Sequence, residues 1–174
     1  ATSVKTGSGN DTVTATAAVN YTIDLGAGND TLTTADAAGE LTTLDSIAGG
    51  AGTDTLAIAS AEAVGLDDGD AADNAVLAKI TGFEQLRITD ALGGDLNLGN
   101  LGYNYLQVTT ALGADRTVSG VTSGFTFESR LDAAAVNNYI ITMTGATGAG
   151  TNSDTINIKL NADLATNDKM DAIS

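Results

Sequence analysis

Three copies of one short pattern constrain this chain more than anything else in it. "GSGNDTV" spans Gly7 to Val13, "GAGNDTL" spans Gly26 to Leu32, and "GAGTDTL" spans Gly50 to Leu56. Aligned, they put Gly7, Gly26 and Gly50 in register, with Asp11, Asp30 and Asp54 in register behind them, at intervals of 19 and 24 residues. Glycine at the first and third positions permits positive φ and close backbone approach, so each copy predicts a tight turn. Each turn runs into an alternating β-type segment (13–16, 32–34 and 56–58), and Tyr21 to Leu25 alternates up to Gly26. That period-two pattern predicts strands. The first sixty residues read as strand, glycine turn, strand, in short cycles.

After Ala59 the pattern changes. Residues 60–79 are rich in Ala, Asp and Leu, and Asp73 is the expected N-cap of a short helix over 75–79. The "LDDGDAAD" segment just before it crowds Asp67, Asp68, Asp70 and Asp73. It reads first as a solvated loop; the sharper alternative is a further cation site at Asp68 and Asp70. Strands are expected again at 85–89, 105–109, 125–127, 139–143 and 156–160. Taking Leu86, Leu106, Phe125, Ile141 and Ile156 as equivalent points gives steps of 20, 19, 16 and 15 residues. Such recurrence predicts an all-β chain, a parallel β-solenoid (β-roll or β-helix-like) with a short helical insertion near 70–80. A β-sandwich of antiparallel strands is the alternative for the C-terminal half. The organisation expected is 1–59 solenoid, 60–82 Asp/Ala-rich and partly helical, and 83–174 continuing solenoid or β-rich domain. The opening "ATSVKTG", without Met, reads as a piece of something longer.

Composition removes several functional classes. With 22 acidic and 7 basic residues the net charge is −15, so no basic patch is expected for nucleic acid or anionic lipid. No apolar run approaches the ~20 residues of a membrane-spanning helix, so membrane insertion is not expected. His and Cys are absent, which removes the commonest general base, the thiol nucleophile and the usual zinc and iron ligands. No P-loop or nucleophile-elbow pattern is present. An enzyme is therefore not expected. Asp outnumbers Glu by 18 to 4, a bias that suits turns and hard-cation ligation at short range.

Calcium takes six to eight oxygens from carbonyls, carboxylates and water. One motif cannot supply that number; two stacked motifs can, each giving carbonyls and one carboxylate. Asp11, Asp30 and Asp54 are the candidate metal ligands. Without the cation, stacked carboxylates would repel and the turns would have little reason to close. Val13, Leu32 and Leu56, at the seventh position, are expected to point into the interior and stack.

These motifs resemble the glycine- and aspartate-rich nonapeptide repeat of RTX proteins, a calcium-binding β-helix signature. The run "LTTLDSIAGGAGTDTLAIASAEAVGL" and the later "ITGFEQLRIT" are similar, more particularly, to calcium-dependent bacterial surface-layer proteins and large secreted adhesins. The resemblance implies type I secretion and folding outside the cell in calcium. It carries ligand roles onto Asp11, Asp30 and Asp54 and onto carbonyls around Gly7, Gly9, Gly26, Gly28, Gly50 and Gly52. Asn10 and Asn29 match the family's residue before the acid, whereas Thr53 departs from it. A degenerate fourth copy, Gly148 to Ile156, adds Asp154 as a weaker candidate. The intervals are wider than in the family's tandem repeats, so a few separate ion sites are expected. The implied function is a calcium-stabilised structural segment of a bacterial surface-layer (S-layer) protein, self-assembling into a lattice at the extracellular cell surface. The alternative is the calcium-binding module of an RTX adhesin, binding glycan or a host or cell surface. The partners expected are further copies and cell-surface polysaccharide.

Overall fold

The aliphatic residue that closes each motif sets the architecture. In the computed structural model, which describes residues 2–16, 20–34, 39–130, 137–144 and 154–160, Val13, Leu32 and Leu56 occupy paired positions on adjacent parallel strands. The row continues through Leu86, Leu106, Phe127 and Ile158. Leu32, Leu56, Leu86 and Leu106 are fully buried, each worth about 1.5–3 kcal/mol relative to exposure.

Among the described residues the chain is mostly β, with parallel sheets and three short helices. Strands β1 (Thr2–Ser8), β3 (Tyr21–Ala27), β5 (Ser46–Ala48) and β7 (Ile80–Thr81) form one sheet. Strands β9 (Leu96–Asn97), β11 (Arg116–Val121) and β13 (Tyr139–Met143) form a second. The third has seven strands: β2 (Thr12–Thr14), β4 (Thr31–Thr33), β6 (Thr55–Ile58), β8 (Gln85–Ile88), β10 (Tyr105–Val108), β12 (Phe125–Ser129) and β14 (Ile156–Leu160). Each odd strand is thus followed by an even strand of the seven-stranded sheet, and one such strand–turn–strand passage is a rung. The interior between the sheets holds a second row, Val4, Ile23, Ile47 and Ile80.

Every strand pair among the described residues is parallel. The antiparallel sandwich considered for the C-terminal half is therefore corrected: β8, β10, β12 and β14 continue the sheet that begins at β2. Three of the expected equivalent points also shift. Phe127, not Phe125, pairs with Leu106; Ile158, not Ile156, pairs with Phe127; and Ile141 lies in the other sheet against Val118. Consecutive strands alternate between sheets, so spacing along the chain is not spacing across a sheet. Between paired residues of the seven-stranded sheet the steps are 19, 24, 30, 20, 21 and 31 residues.

The segment between β6 and β7 carries α1 (Ser60–Gly65) and α2 (Ala71–Leu77). Strands β6 and β8 on either side of it pair directly, so one sheet joins the 1–59 and 83–174 segments, while β7 adds the end of 60–82 to the first sheet. The helix expected over 75–79 starts earlier, because Asp70 is its N-cap and accepts from Ala72 and Asp73 N–H. Asp73 sits inside the first turn of the helix. A short third helix, α3 (Leu98–Leu101), is capped by the Asn97 side chain.

Candidate functional site

The glycine turns join the first sheet to the seven-stranded one at a single corner of the stack. Gly7, Gly9, Gly26, Gly28, Gly50 and Gly52 all have positive φ, which L-residues with a Cβ rarely adopt. The reason is contact between rungs. A Cβ on Gly26 would stand 2.0 Å from the Gly7 carbonyl oxygen, and one on Gly52 would stand 1.8 Å from the Gly28 oxygen. These carbonyls point along the stack at the next rung, and the Gly26 oxygen accepts the Ala51 N–H at 2.8 Å.

Acidic side chains stitch the same corner together. Asp30 Oδ1 accepts the Asp11 backbone N–H at 2.8 Å, and Asp54 Oδ1 accepts the Asp30 N–H at 2.7 Å. Glu84 Oε2 then accepts the Asp54 N–H at 2.8 Å. Beside this ladder runs a second of opposite sense. Asn10 Oδ1 accepts the Asn29 N–H at 2.8 Å, and Asn29 Oδ1 accepts the Thr53 N–H at 3.0 Å. Backbone N–H groups of the neighbouring rung thus bond one oxygen of each of these carboxylates directly.

Asp30 and Asp54 nevertheless each use only half of their carboxylate. Asp30 and Asp54 are 1% and 0% exposed, and in both Oδ2 is buried without a hydrogen-bond donor. Asp11 Oδ2, on a half-buried residue, shares that condition. A buried, unpaired carboxylate oxygen is costly. Burial raises the Asp54 carboxyl above its ordinary value; the Asp30 N–H works against this, and the Asp30 and Glu84 charges add to it. The donors at the corner are carboxylate and carbonyl oxygens with no nitrogen or sulfur ligand, the set that suits calcium or magnesium.

A second acidic group lies on the α2 side. Asp68, Asp70 and Asp73 bring carboxylate oxygens within 4.8 Å of one another and could hold a metal ion. A hydrogen bond to Asp68, then desolvation and the charges of Asp68, Asp70 and Asp67, push the Asp73 carboxyl up to about 6. Asp68 and Asp70 are exposed, and Asp70 is already committed to capping α2.

The structure thus gathers Asp11, Asp30, Asp54, Asn10, Asn29, Thr53 and the six motif glycines at one corner. Asp68 and Asp70 form a separate group. Asp154 is exposed, and the glycines of its degenerate copy fall outside the described residues. Sequence reasoning missed Glu84, the fourth acid of the ladder. Its signal was present: "GFEQL" repeats the order glycine, any residue, acid, polar, leucine of "GTDTL". The aspartate excess also has a broader basis than metal. Asp45, Asp67, Asp90, Asp95 and Asp115 each accept a backbone N–H from a residue 22 to 30 positions away. Comparison with models of protein families, with curated proteins and with solved structures finds no match for this chain.

Proposed function

We propose that this chain is a calcium-stabilised parallel β-solenoid segment of a bacterial surface-layer protein of the RTX type, exported by type I secretion and self-assembling into a lattice on the cell surface. One observation carries the reading. Asp30 and Asp54 are buried at a corner of positive-φ glycines, and each leaves one carboxylate oxygen without a donor. A hard divalent cation between rungs supplies the missing partner and offsets the repulsion of stacked acids, with water completing its coordination. Asp11, Asp30 and Asp54 would hold it, and the motif carbonyls are the neighbouring neutral donors. The solenoid description draws support from rungs whose strands pair only in parallel among the described residues. The surface-layer assignment rests on the resemblance of residues 7–58 and, less closely, 59–89.

Thermal melting and particle size, measured in excess chelator and in millimolar calcium, test the proposal. Calcium should raise the melting temperature and drive ordered sheets visible by electron microscopy. Identical melting and identical particle size in both conditions would sink it. Calcium-stabilised monomers that bind glycan and never form sheets would reassign the segment to an adhesin.

A further inference from the structure

This acidic chain gathers three of its seven basic residues on one face of one sheet. Leu86, Ile88, Leu106, Val108, Phe125 and Phe127 are buried in the interior, so the residues alternating with them stand on the outer face of the seven-stranded sheet. There Arg87 pairs in register with Gln107, Gln107 with Glu128, and Glu128 with Lys159. Tyr105 and Arg130 join the row by bonding the Glu128 carboxylate.

The row is locked by its own hydrogen bonds. Arg87 Nε donates to Gln107 Oε1. Burial works to raise the Glu128 carboxyl, but hydrogen bonds with Tyr105, Arg130 and Gln107 hold it below its ordinary value. Lys159 Nζ lies 4.9 Å from the centre of the Tyr105 ring. Glu128 is already held by Arg130 in an ion pair at 2.8 Å. Arg87, half-buried, has no carboxylate within ion-pairing distance among the described residues. Burial and then the Arg130 charge lower its guanidinium. A partly desolvated charge without a counter-ion is costly, and the free edge of a guanidinium is a planar fork that fits carboxylate oxygens.

The spacing of the bases says what kind of anion fits. Arg87 and Lys159 stand three strand intervals apart, about 14 Å at the usual strand separation, with Arg130 between them. The exposed acids of another copy, grouped at Asp68, Asp70 and Asp73 within 4.8 Å of one another, are too compact to match that row. Nucleic acid lacks a stacking platform here, since the ring of Tyr105 is covered by Lys159. An extended polymer with a carboxylate on successive units matches it. Screening within about 8 Å at physiological salt leaves three bases against one acid to decide the local field.

We propose that the outer face around Arg87, Arg130 and Lys159 binds a linear acidic glycan, with the two guanidinium groups and the Lys159 ammonium each meeting a sugar carboxylate. The site goes beyond the calcium reading and does not depend on it, because its binding groups are cationic side chains.

Calorimetric titration of the whole chain with polygalacturonate, in chelator and at low and physiological salt, tests it. Expected is saturable binding that weakens as salt rises, with none to neutral dextran. The double variant Arg87→Gln with Lys159→Gln should bind at least ten-fold more weakly, whereas Lys5→Gln, an exposed base already paired with Asp24, should bind as the parent does. Should the double variant fail to fold, Lys159→Gln alone, at an exposed position, should still weaken binding at least three-fold. Equal affinity in the parent and Lys159→Gln overturns the proposal, as does dextran bound as tightly as polygalacturonate. Tighter binding of polyuridylate, or self-association without glycan that Lys159→Gln abolishes, gives the face to another partner and overturns it too. A chain whose melting responds to calcium but which ignores polygalacturonate loses this site alone.

Discussion

Replacing Asp54 by asparagine should change sign with the metal. Asn keeps a carbonyl oxygen to accept the Asp30 N–H, a bond of 2.7 Å, and replaces the donor-less Oδ2 with an amide. In chelator the variant sheds a buried charge that burial and the Asp30 and Glu84 carboxylates disfavour, so it should melt at or above the parent temperature. Asp54→Ala, by contrast, strands the Asp30 N–H beside a residue that is 0% exposed; leaving that donor unsatisfied costs about 1–3 kcal/mol in any buffer. In calcium at a hundred times its dissociation constant the parent gains about 2.7 kcal/mol, or about 5–11 °C for a chain of this size. Asp54→Asn should gain markedly less, so the two melting curves cross between conditions. Differential scanning calorimetry of parent, Asp54→Asn and Asp54→Ala in chelator and in calcium reads all of this directly. Two results refute the reasoning: a calcium-induced shift in Asp54→Asn equal to the parent's, or equal losses for Asn and Ala in chelator.

Three further outcomes follow from the same geometry. Gly26→Ala forces a Cβ to within 2.0 Å of the Gly7 carbonyl oxygen at φ +95° and should destabilise by more than about 1 kcal/mol. Gly65→Ala, in α1 with open space around it, should be neutral or stabilising by up to about 1 kcal/mol, and urea denaturation of the pair checks the contrast. Leu86→Ala removes a side chain that is 0% exposed in the middle of the apolar row and should cost about 2–5 kcal/mol by the same assay. The Asp73 carboxyl should titrate near 6 by carbon-detected NMR, returning towards its ordinary 3.8 in Asp68→Asn. Because its folded value is raised, protonation favours the folded state. That contribution is fully present below about 4 and is lost as pH rises through 6. A titration midpoint near 4 in the parent would contradict the shared hydrogen bond.

The parts legible in the sequence are those fixed by local chemistry. Paired glycines announce turns because only glycine tolerates both the positive φ and the close carbonyl above it, and the aliphatic residue two places after each acid announces a buried strand position. Strands β7 and β9 escaped notice because runs of two residues are too short to show alternation. Glu84 escaped because the motif around it lost three turn residues, and the eye follows spacing before chemistry. The Asp70 cap was misplaced by one turn: Asp70 and Asp73 are both credible caps, and the choice was settled by Gly69 at φ +77° turning the chain into Asp70. Long-range bonds from aspartate to the backbone of another rung leave no local trace. Donor and acceptor there stand 19 to 30 residues apart, so the structural share of these acids' work does not show in the sequence.

The uneven separation of the acids, 19, 24 and 30 residues along one ladder, has a consequence for how such a chain tolerates change. Alignment between neighbouring strands is settled at the glycine corner, and chain length is absorbed away from it. Lengthening a connection from 19 to 30 residues adds only about 0.4 kcal/mol of closure entropy, less than one apolar side chain of the interior contributes. The stretch carrying α1 and α2 is accordingly a natural entry point for foreign peptide. An epitope or affinity tag spliced between Asp68 and Ala78 should leave every strand partner unchanged.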